Sequence, residues 1–343
     1  MPAILPLYFV AGKRMLWTEK AHTNWTGVQW TTYKMGGPLQ EAYQPQSLSE
    51  AVELLTRWMA LEDNQRPKLT LLGWGGNSVV AQAGIAGVTL ITRKLDWVRP
   101  EADGLSFTFG AGVHSAKVAA TAQKHGLAGG EFMIGIPGTV GGMVRMNAGA
   151  LGQNTSERLI SARVFNATTG VLEDWPAERF GFRYRHSEMD SAKHFVLEAT
   201  FAFVPGDAAT IAQKMTDSVQ FRRAHHPTEP NGGSVFRNPL PTESNPKPPS
   251  AGMLLDGLGA RGDVTFNKPP WEQGGVQVSP RHANFIVNVG VGDEVGTSTD
   301  VLRLMRRMQQ AVIDAHGITL RPENVLLGDA NAEEQALWQL LWQ

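Results

Sequence analysis

Phe132-Met133-Ile134-Gly135-Ile136-Pro137-Gly138-Thr139-Val140-Gly141-Gly142, running on to Met146-Asn147-Ala148-Gly149-Ala150, is the stretch that decides how this chain is read. Five glycines in fifteen positions, residues 135–149, disfavour both helix and strand, because each glycine costs backbone entropy and adds no side chain to pack. Bare backbone with outward N–H groups suits a phosphate or pyrophosphate. An ordinary glycine-rich turn is the alternative. A second cluster, Gly73-Trp74-Gly75-Gly76-Asn77, directly follows a short strand pattern at residues 68–72. Two such loops in one half of a chain fit a cofactor with a long pyrophosphate better than either alone. The second cluster lacks the G-K-[ST] ending of a Walker A loop, which disfavours nucleotide hydrolysis. It also lacks G-x-G-x-x-G spacing and an immediate helix, which argues against a Rossmann dinucleotide fold.

Around these loops the composition is that of an ordinary globular chain: 343 residues, 42% hydrophobic, 18% charged, formal net charge −1. This size implies one very large domain or several modest ones. The charge gives no reason to expect nucleic acid or an anionic membrane as partner. There is no cysteine, so disulfides, thiolate catalysis, Fe–S clusters and Cys-based zinc sites are excluded. Residues 1–10 carry a short apolar run without a basic region before it or a clear cleavage site. No run approaches the ~20 apolar residues of a membrane span. The cytoplasm is the expected compartment.

Residues 1–22 show no usable periodicity and read as an extension of uncertain structure. Ser47-Leu48-Ser49-Glu50 reads as a capping box, with Leu48, Val52, Leu55 and Met59 then on one helical face. Strand patterns follow at 88–92 and 105–109. A small-residue helix at 115–125 is stopped by Gly126. More strand pattern lies at 161–165, 171–174 and 195–203. Pro205-Gly206-Asp207 marks a boundary before a helix at 208–223. Residues 239–249 and 260–273 are irregular, 285–289 is a strand, and a long helix spans 299–316, ended by Gly317. Its Val301, Leu304, Met305, Met308 and Val312 share one face. Arg303, Arg306 and Arg307 read as its solvated side. Helices mixed with strands and glycine punctuation give an α+β chain.

Three spots hold polar residues in unusual settings. Phe182-Arg183-Tyr184-Arg185-His186-Ser187 places arginines beside a tyrosine just before a strand. Asn231-Gly232-Gly233-Ser234-Val235-Phe236-Arg237-Asn238-Pro239 holds a serine in a glycine turn. Leu320-Arg321-Pro322-Glu323-Asn324 puts a carboxylate at the entry to Val325-Leu326-Leu327. A lone ion pair, a turn serine and a surface glutamate are the bland alternatives. Ser234 is not in a G-x-S-x-G elbow. With no H-E-x-x-H or similar spacing, the nine histidines are expected to be structural and no metal site is expected.

Taken in order, these motifs resemble the UDP-N-acetylenolpyruvoylglucosamine reductase family. The resemblance runs from Thr31-Thr32-Tyr33-Lys34-Met35-Gly36-Gly37-Pro38 to Gly328 and is strongest from Gly130-Glu131-Phe132 to Ala150. Residues 182–187, 233–239, Gly274-Gly275 and Arg321-Pro322-Glu323 follow in the family's order. It implies a two-subdomain FAD-binding module of the vanillyl-alcohol-oxidase type (residues 23–93 and 94–205), a C-terminal α+β substrate-binding domain (206–330) and a tail (331–343). It further implies a role in peptidoglycan synthesis, with NADPH and UDP-N-acetylglucosamine-enolpyruvate as small-molecule substrates, and a monomer.

By this resemblance FAD is held by Gly73, Trp74, Gly75, Gly76, Asn77, Ser78, Ile136, Pro137, Gly138, Thr139, Gly141, Gly142, Asn147 and Ala148, with Arg222 or Arg223 near the flavin. Ser234 matches a proton-donating serine, Arg185 and Glu323 the other catalytic residues, and Tyr184, Gly233, Arg237 and Asn238 the substrate side. Trp74, Gln82 and Asn324-Val325 depart from the family's usual Gly-Gly-Gly-Ser-Asn loop, its aspartate and its Val-Arg. The spacing between Ala199 and Arg222 matches the shorter subtype. An FAD-linked oxidase of the same fold and a non-catalytic flavin or nucleotide-sugar binder are the competing readings.

Overall fold

The computed structural model describes residues 9–10, 13–14, 17, 20–243, 245–262, 269–290 and 295–343. Most of the expected extension at 1–22, and residues 263–268 of the expected irregular stretch 260–273, lie outside the described residues. The chain forms two compact units. The first comprises Met1–Trp25, Leu39–Gly73 and Ala86–Ser218; the second comprises Thr26–Pro38, Trp74–Ile85 and Val219–Gln343.

In the first unit, the strands Leu39–Tyr43, Ile85–Ile91 and Leu69–Leu72 form a sheet in that order, with Leu69–Leu72 parallel to its neighbour. The helix Leu48–Met59 covers it. Its Ser47 hydroxyl accepts from Glu50 N at 3.2 Å, whereas the Glu50 carboxylate takes the Gln46 amide at 2.9 Å. Only half of the expected capping box therefore forms. The buried face is also rotated from the expected one. Ala51, Leu54, Leu55 and Trp58 are buried, with Leu48, Val52 and Met59 at the margin; Trp58 meets the Phe195 ring edge-on and donates its indole N–H to Pro67 O at 2.7 Å.

The second sheet of this unit is antiparallel, in the order Val171–Pro176, Leu159–Asn166, His194–Ala202, Ser106–Gly110, Val98–Pro100. Alternation sends Phe107, Phe109, Val164, Ala199 and Phe201 into one core, while Thr108, Arg163, Glu198 and Thr200 line a polar groove on the other face. The helix Ser115–Lys124 and the glycine run pack on the apolar side. That run is not purely irregular, as its glycine content had suggested. Glu131–Gly135 is a 3-10 turn and Val140–Met146 an α-helix. Close packing outweighs the entropic cost: a Cβ on Gly141 would lie 3.3 Å from the Ala111 Cβ.

The second unit is built on an antiparallel sheet ordered Asn231–Ser234, His282–Asn288, Val276–Ser279, Glu272–Gln273. The helices Ala251–Gly257 and Ser298–His316 share its core, and all five residues of the expected apolar face on the latter are buried. Gly317 ends that helix at φ +65°. The segment expected as a tail holds the helix Ala332–Trp342. Asn331 and Glu334 form its capping box, and Leu341 is buried against Ser298–His316. A short parallel pair joins Ser78–Val80 to Val325–Leu327. Among the described residues no helix is long and apolar enough to cross a membrane.

Candidate active site

Within the second unit, three segments distant in sequence are laced together around Asn324. The segment 321–325 runs antiparallel to 235–237: Arg237 N donates to Arg321 O at 2.9 Å and Glu323 N to Val235 O at 2.8 Å. On its other side Val325 N donates to Asn77 O at 2.9 Å. The Asn324 side-chain amide is 1% exposed. Its Nδ2 donates to Asn77 Oδ1 at 2.9 Å and to Gly232 O at 2.8 Å. Asn77 Nδ2 in turn donates to Glu323 O at 2.9 Å. Ser234 and Glu323 therefore lie on adjacent segments of one network, and the loop ending at Asn77 is fastened to the Glu323 segment directly and to the Ser234 segment through the Asn324 amide.

The turn carrying Ser234 is shaped by its glycines. Gly233 has φ +77°, and its N–H donates to Asn231 Oδ1 at 2.8 Å. A Cβ on Gly232 would fall 2.2 Å from Cε2 of Tyr33, a fully buried ring. Burial pushes the Tyr33 phenol above its ordinary range. The Ser234 hydroxyl is half-buried and makes no hydrogen bond to another described residue. It is thus available to a ligand. Asn238 is engaged by the fold: its Oδ1 accepts from Ala251 N at 3.1 Å. The buried Nε of Arg237 has no hydrogen-bond partner among the described residues.

Two stretches have the character of a pyrophosphate cradle, one in each unit. In the second unit the amides of Gly75, Gly76 and Asn77 donate to no other described residue, with Gly75 at φ +63°. Successive unpaired N–H groups in such a turn form an anion-binding concavity. Trp74 is exposed, Ser78 begins the parallel strand, and Gln82 is exposed.

In the first unit, the Gly138, Thr139 and Gly142 amides are likewise unspent on the described protein. A Cβ on Gly138 would meet nothing within 4 Å, so the space above that backbone is open. Gly73 lies against the Thr139 side chain, and its carbonyl accepts from Arg93 Nε at 3.1 Å. Burial holds the Arg93 guanidinium pKa below its ordinary value. Donor sets of this kind fit FAD. Other expected contacts have their polar groups engaged: Gly141 N donates to Ala111 O, Ile136 N to Met133 O and Ala148 N to Met143 O, while Pro137 has no N–H to give.

The first unit also positions Arg185. Arg183 and His186 exchange backbone hydrogen bonds at 3.1 Å, so Tyr184 and Arg185 form the tip of a tight turn. Arg185 adopts φ +53°, an unfavourable conformation for a residue with a side chain. Its Nη2 donates to Gly149 O at 2.8 Å, and its guanidinium stands 5.2 Å from the centre of the exposed Tyr184 ring. Asn147, at φ +42°, ties this turn to the glycine run: Nδ2 donates to Arg183 O at 3.1 Å and Oδ1 accepts from Ser156 N at 3.0 Å. Arg222 is half-buried near the end of the helix Ala208–His225.

Sequence reasoning did not assign a role to Asn324 or Tyr33. Asn324 stood out only as a departure from the Val-Arg pattern, and its partners lie up to 247 residues away.

A family model described as the C-terminal domain of UDP-N-acetylenolpyruvoylglucosamine reductase matches residues 225–327, and one described as an FAD binding domain matches residues 45–174. The UDP-N-acetylenolpyruvoylglucosamine reductase of Synechococcus sp. (strain WH7803) is 37% identical over 304 residues, 88% of this chain and 91% of that protein. The chain belongs to the UDP-N-acetylenolpyruvoylglucosamine reductase family. The family's reductase from Halalkalibacterium halodurans is 34% identical, over 93% of this chain and 98% of its own length. A crystal structure of the reductase from Thermus caldophilus superposes with a TM-score of 0.68 at 25% identity, covering 90% of this chain and 99% of that one. Membership makes the chain an oxidoreductase, and its fold combines an FAD-binding domain with the reductase C-terminal domain, as the resemblance implied.

Proposed function

We propose that this protein reduces the enolpyruvyl group of UDP-N-acetylglucosamine-enolpyruvate to UDP-N-acetylmuramate, with NADPH as reductant, in the cytoplasm and as a step of peptidoglycan synthesis. The observation that carries the reading is the half-buried Ser234 hydroxyl, with no protein partner among the described residues, on a strand laced to the segment bearing Glu323. The family's activity supplies the rest. On this reading the FAD-binding parts are residues 23–93 and 94–205, the substrate domain is 206–330, and the protein acts as a monomer.

Bound FAD would supply the relay of hydride from NADPH to C3 of the enolpyruvyl group. The loop residues Gly73, Trp74, Gly75, Gly76, Asn77 and Ser78 would hold it, together with Ile136, Pro137, Gly138, Thr139, Gly141, Gly142, Asn147, Ala148 and Arg222. Unspent amides at Gly75, Gly76, Asn77, Gly138, Thr139 and Gly142 are the strongest of these candidates. Reduction at C3 leaves carbanionic charge at C2, shared with the carboxylate. Arg185 would stabilise that charge as it grows, through a planar donor fork that is always protonated. Ser234 would give its hydroxyl proton to C2; a weak acid suffices because the acceptor is a strong base. Glu323 would orient the substrate and assist the enol acid–base balance. Tyr184, Gly233, Arg237 and Asn238 would contact the nucleotide-sugar.

The test is a half-reaction experiment without oxygen. Purified protein should show a flavin spectrum, bleach with NADPH and recover its colour on adding the enolpyruvyl substrate. Ser234→Ala should bleach normally and fail to recover. Absence of flavin, or recovery only when oxygen is admitted, would overturn the reading. Full recovery in Ser234→Ala would remove the serine from its role.

A further inference from the structure

The helix Ala332–Trp342 lies outside the residues that either family model matches, yet it reaches the segment that follows Ser234. Arg237 and Arg321 are neighbours across the antiparallel pairing centred on Phe236 and Pro322. Two guanidinium groups so placed repel each other. Each is instead directed to a different part of Trp342: Arg321 Nη1 donates to the Trp342 carbonyl oxygen, and the Arg237 guanidinium stands 5.9 Å from the Trp342 ring centre. Arg237 Nε is buried with no hydrogen-bond partner among the described residues. A desolvated donor of that kind is costly unless an acceptor arrives, and an anionic ligand satisfies it.

The helix itself is firmly held. Gln309 Nε2 donates to Leu320 O at 2.7 Å and Leu341 O at 2.9 Å, so one buried amide spans the Arg321 segment and the helix end. Glu334 is fully buried: it accepts from Asn331 N at 2.9 Å and from the Ser298 hydroxyl. Arg303 pairs with Glu333 at 2.6 Å.

We propose that Trp342 and Arg321 are positioning residues, which hold the Arg237 guanidinium ready for the anionic part of the nucleotide-sugar. The proposal rests on the functional reading above. Arg321 delivers the helix end, Trp342 presents its ring to Arg237, and the cation–π contact orients the guanidinium while leaving its N–H groups to the ligand.

The test uses the full flavin-loaded chain with Trp342→Ala, Trp342→Phe and Arg321→Gln. Trp342 is 43% exposed, so its replacement leaves the core intact. Calorimetric titration with UDP-N-acetylglucosamine and steady-state kinetics with the enolpyruvyl substrate are both measured, beside thermal unfolding. Trp342→Ala and Arg321→Gln should raise Kd and KM about three- to tenfold with kcat within about twofold, and Trp342→Phe should recover most of the loss. Unchanged Kd and KM in Trp342→Ala, or a fall in melting temperature and active fraction with KM constant, would overturn the proposal. If the unsubstituted protein binds and turns over the nucleotide-sugar and the variants match it, only this inference falls. If the unsubstituted protein does neither, the functional reading falls and takes the inference with it.

Discussion

Asn324 is the residue whose replacement should do most damage without touching a reacting group. Its amide donates to Asn77 Oδ1 at 2.9 Å and Gly232 O at 2.8 Å, and at 1% exposure no bulk water waits to replace it. Each acceptor left without a donor costs about 1–3 kcal/mol. Asn324→Leu has similar volume and shuts out water, so both penalties apply, for a total of about 2–6 kcal/mol. Asn324→Ala opens space for a bridging water and should sit near the low end. The effect is local, and native-state amide exchange reads it. The Val325 N–H, bonded to Asn77 O, and the Glu323 N–H, bonded to Val235 O, should exchange faster. A local loss of about 2 kcal/mol corresponds to roughly thirtyfold. A double-substitution cycle with Asn77→Ala should return a coupling of about 0.5–3 kcal/mol. Exchange at Val325 and Glu323 within about twofold of the unsubstituted protein in Asn324→Leu would refute the reasoning, because the amide would then hold nothing.

Three further outcomes are expected. Gly232→Ala drives a Cβ to 2.2 Å from a buried ring, so denaturant unfolding should show a loss of about 2 kcal/mol or more; a change below about 0.5 kcal/mol would mean that Tyr33 can move aside. His226 has its pKa lowered to about 4 by burial first, then by Arg222, His282 and His225. The unfolded chain therefore binds more protons than the folded one between about pH 6.5 and 4. Stability contributed by neutral His226 is present above that window and lost as pH falls through it, so His226→Gln should flatten the acid limb of a melting-temperature profile; an unaltered limb would count against this. Glu198 is 2% exposed and accepts from Trp97 Nε1 at 2.9 Å, with Arg99 and Arg163 each at 3.4 Å. Glu198→Ala should cost about 1–3 kcal/mol by calorimetry, mostly from the Trp97 N–H it strands, since Arg99 and Arg163 are exposed enough to be rehydrated, and Glu198→Gln less.

Legibility in the sequence followed the range of the forces involved. The helix Ser298–His316 is readable because five apolar residues repeat at helical spacing and a glycine stops it. For the helix Leu48–Met59 the start is readable and the buried face is not, since Trp58 is buried with partners outside the helix, the Phe195 ring and Pro67 O. The glycine run is readable as backbone built for close approach. Its short helix is not, because what permits it is Ala111, thirty residues earlier in the chain. The helix Ala332–Trp342 had a signal that could have found it: Asn331 and Glu334 stand at capping-box spacing before an apolar run. At the candidate site, the residues around Ser234 and Glu323 read by themselves as a turn serine and a surface glutamate, and the family resemblance is what singles the two out. The network uniting their segments is not readable either, because Asn77, Gly232 and Asn324 meet only in three dimensions.

The pairing of Ser78–Val80 with Val325–Leu327 also fixes an order of events during synthesis. The first strand leaves the ribosome long before its partner exists, and the loop ending at Asn77 cannot take its final hydrogen bonds until residues 321–327 follow. The 26–38 and 74–85 segments of the second unit must wait through the whole of residues 86–218, which belong to the other unit. Non-local closures of this kind are slow and leave a strand edge uncovered meanwhile. A chain released before Leu327 would therefore carry Ser78–Val80 as an unpaired edge, open to pairing with other chains.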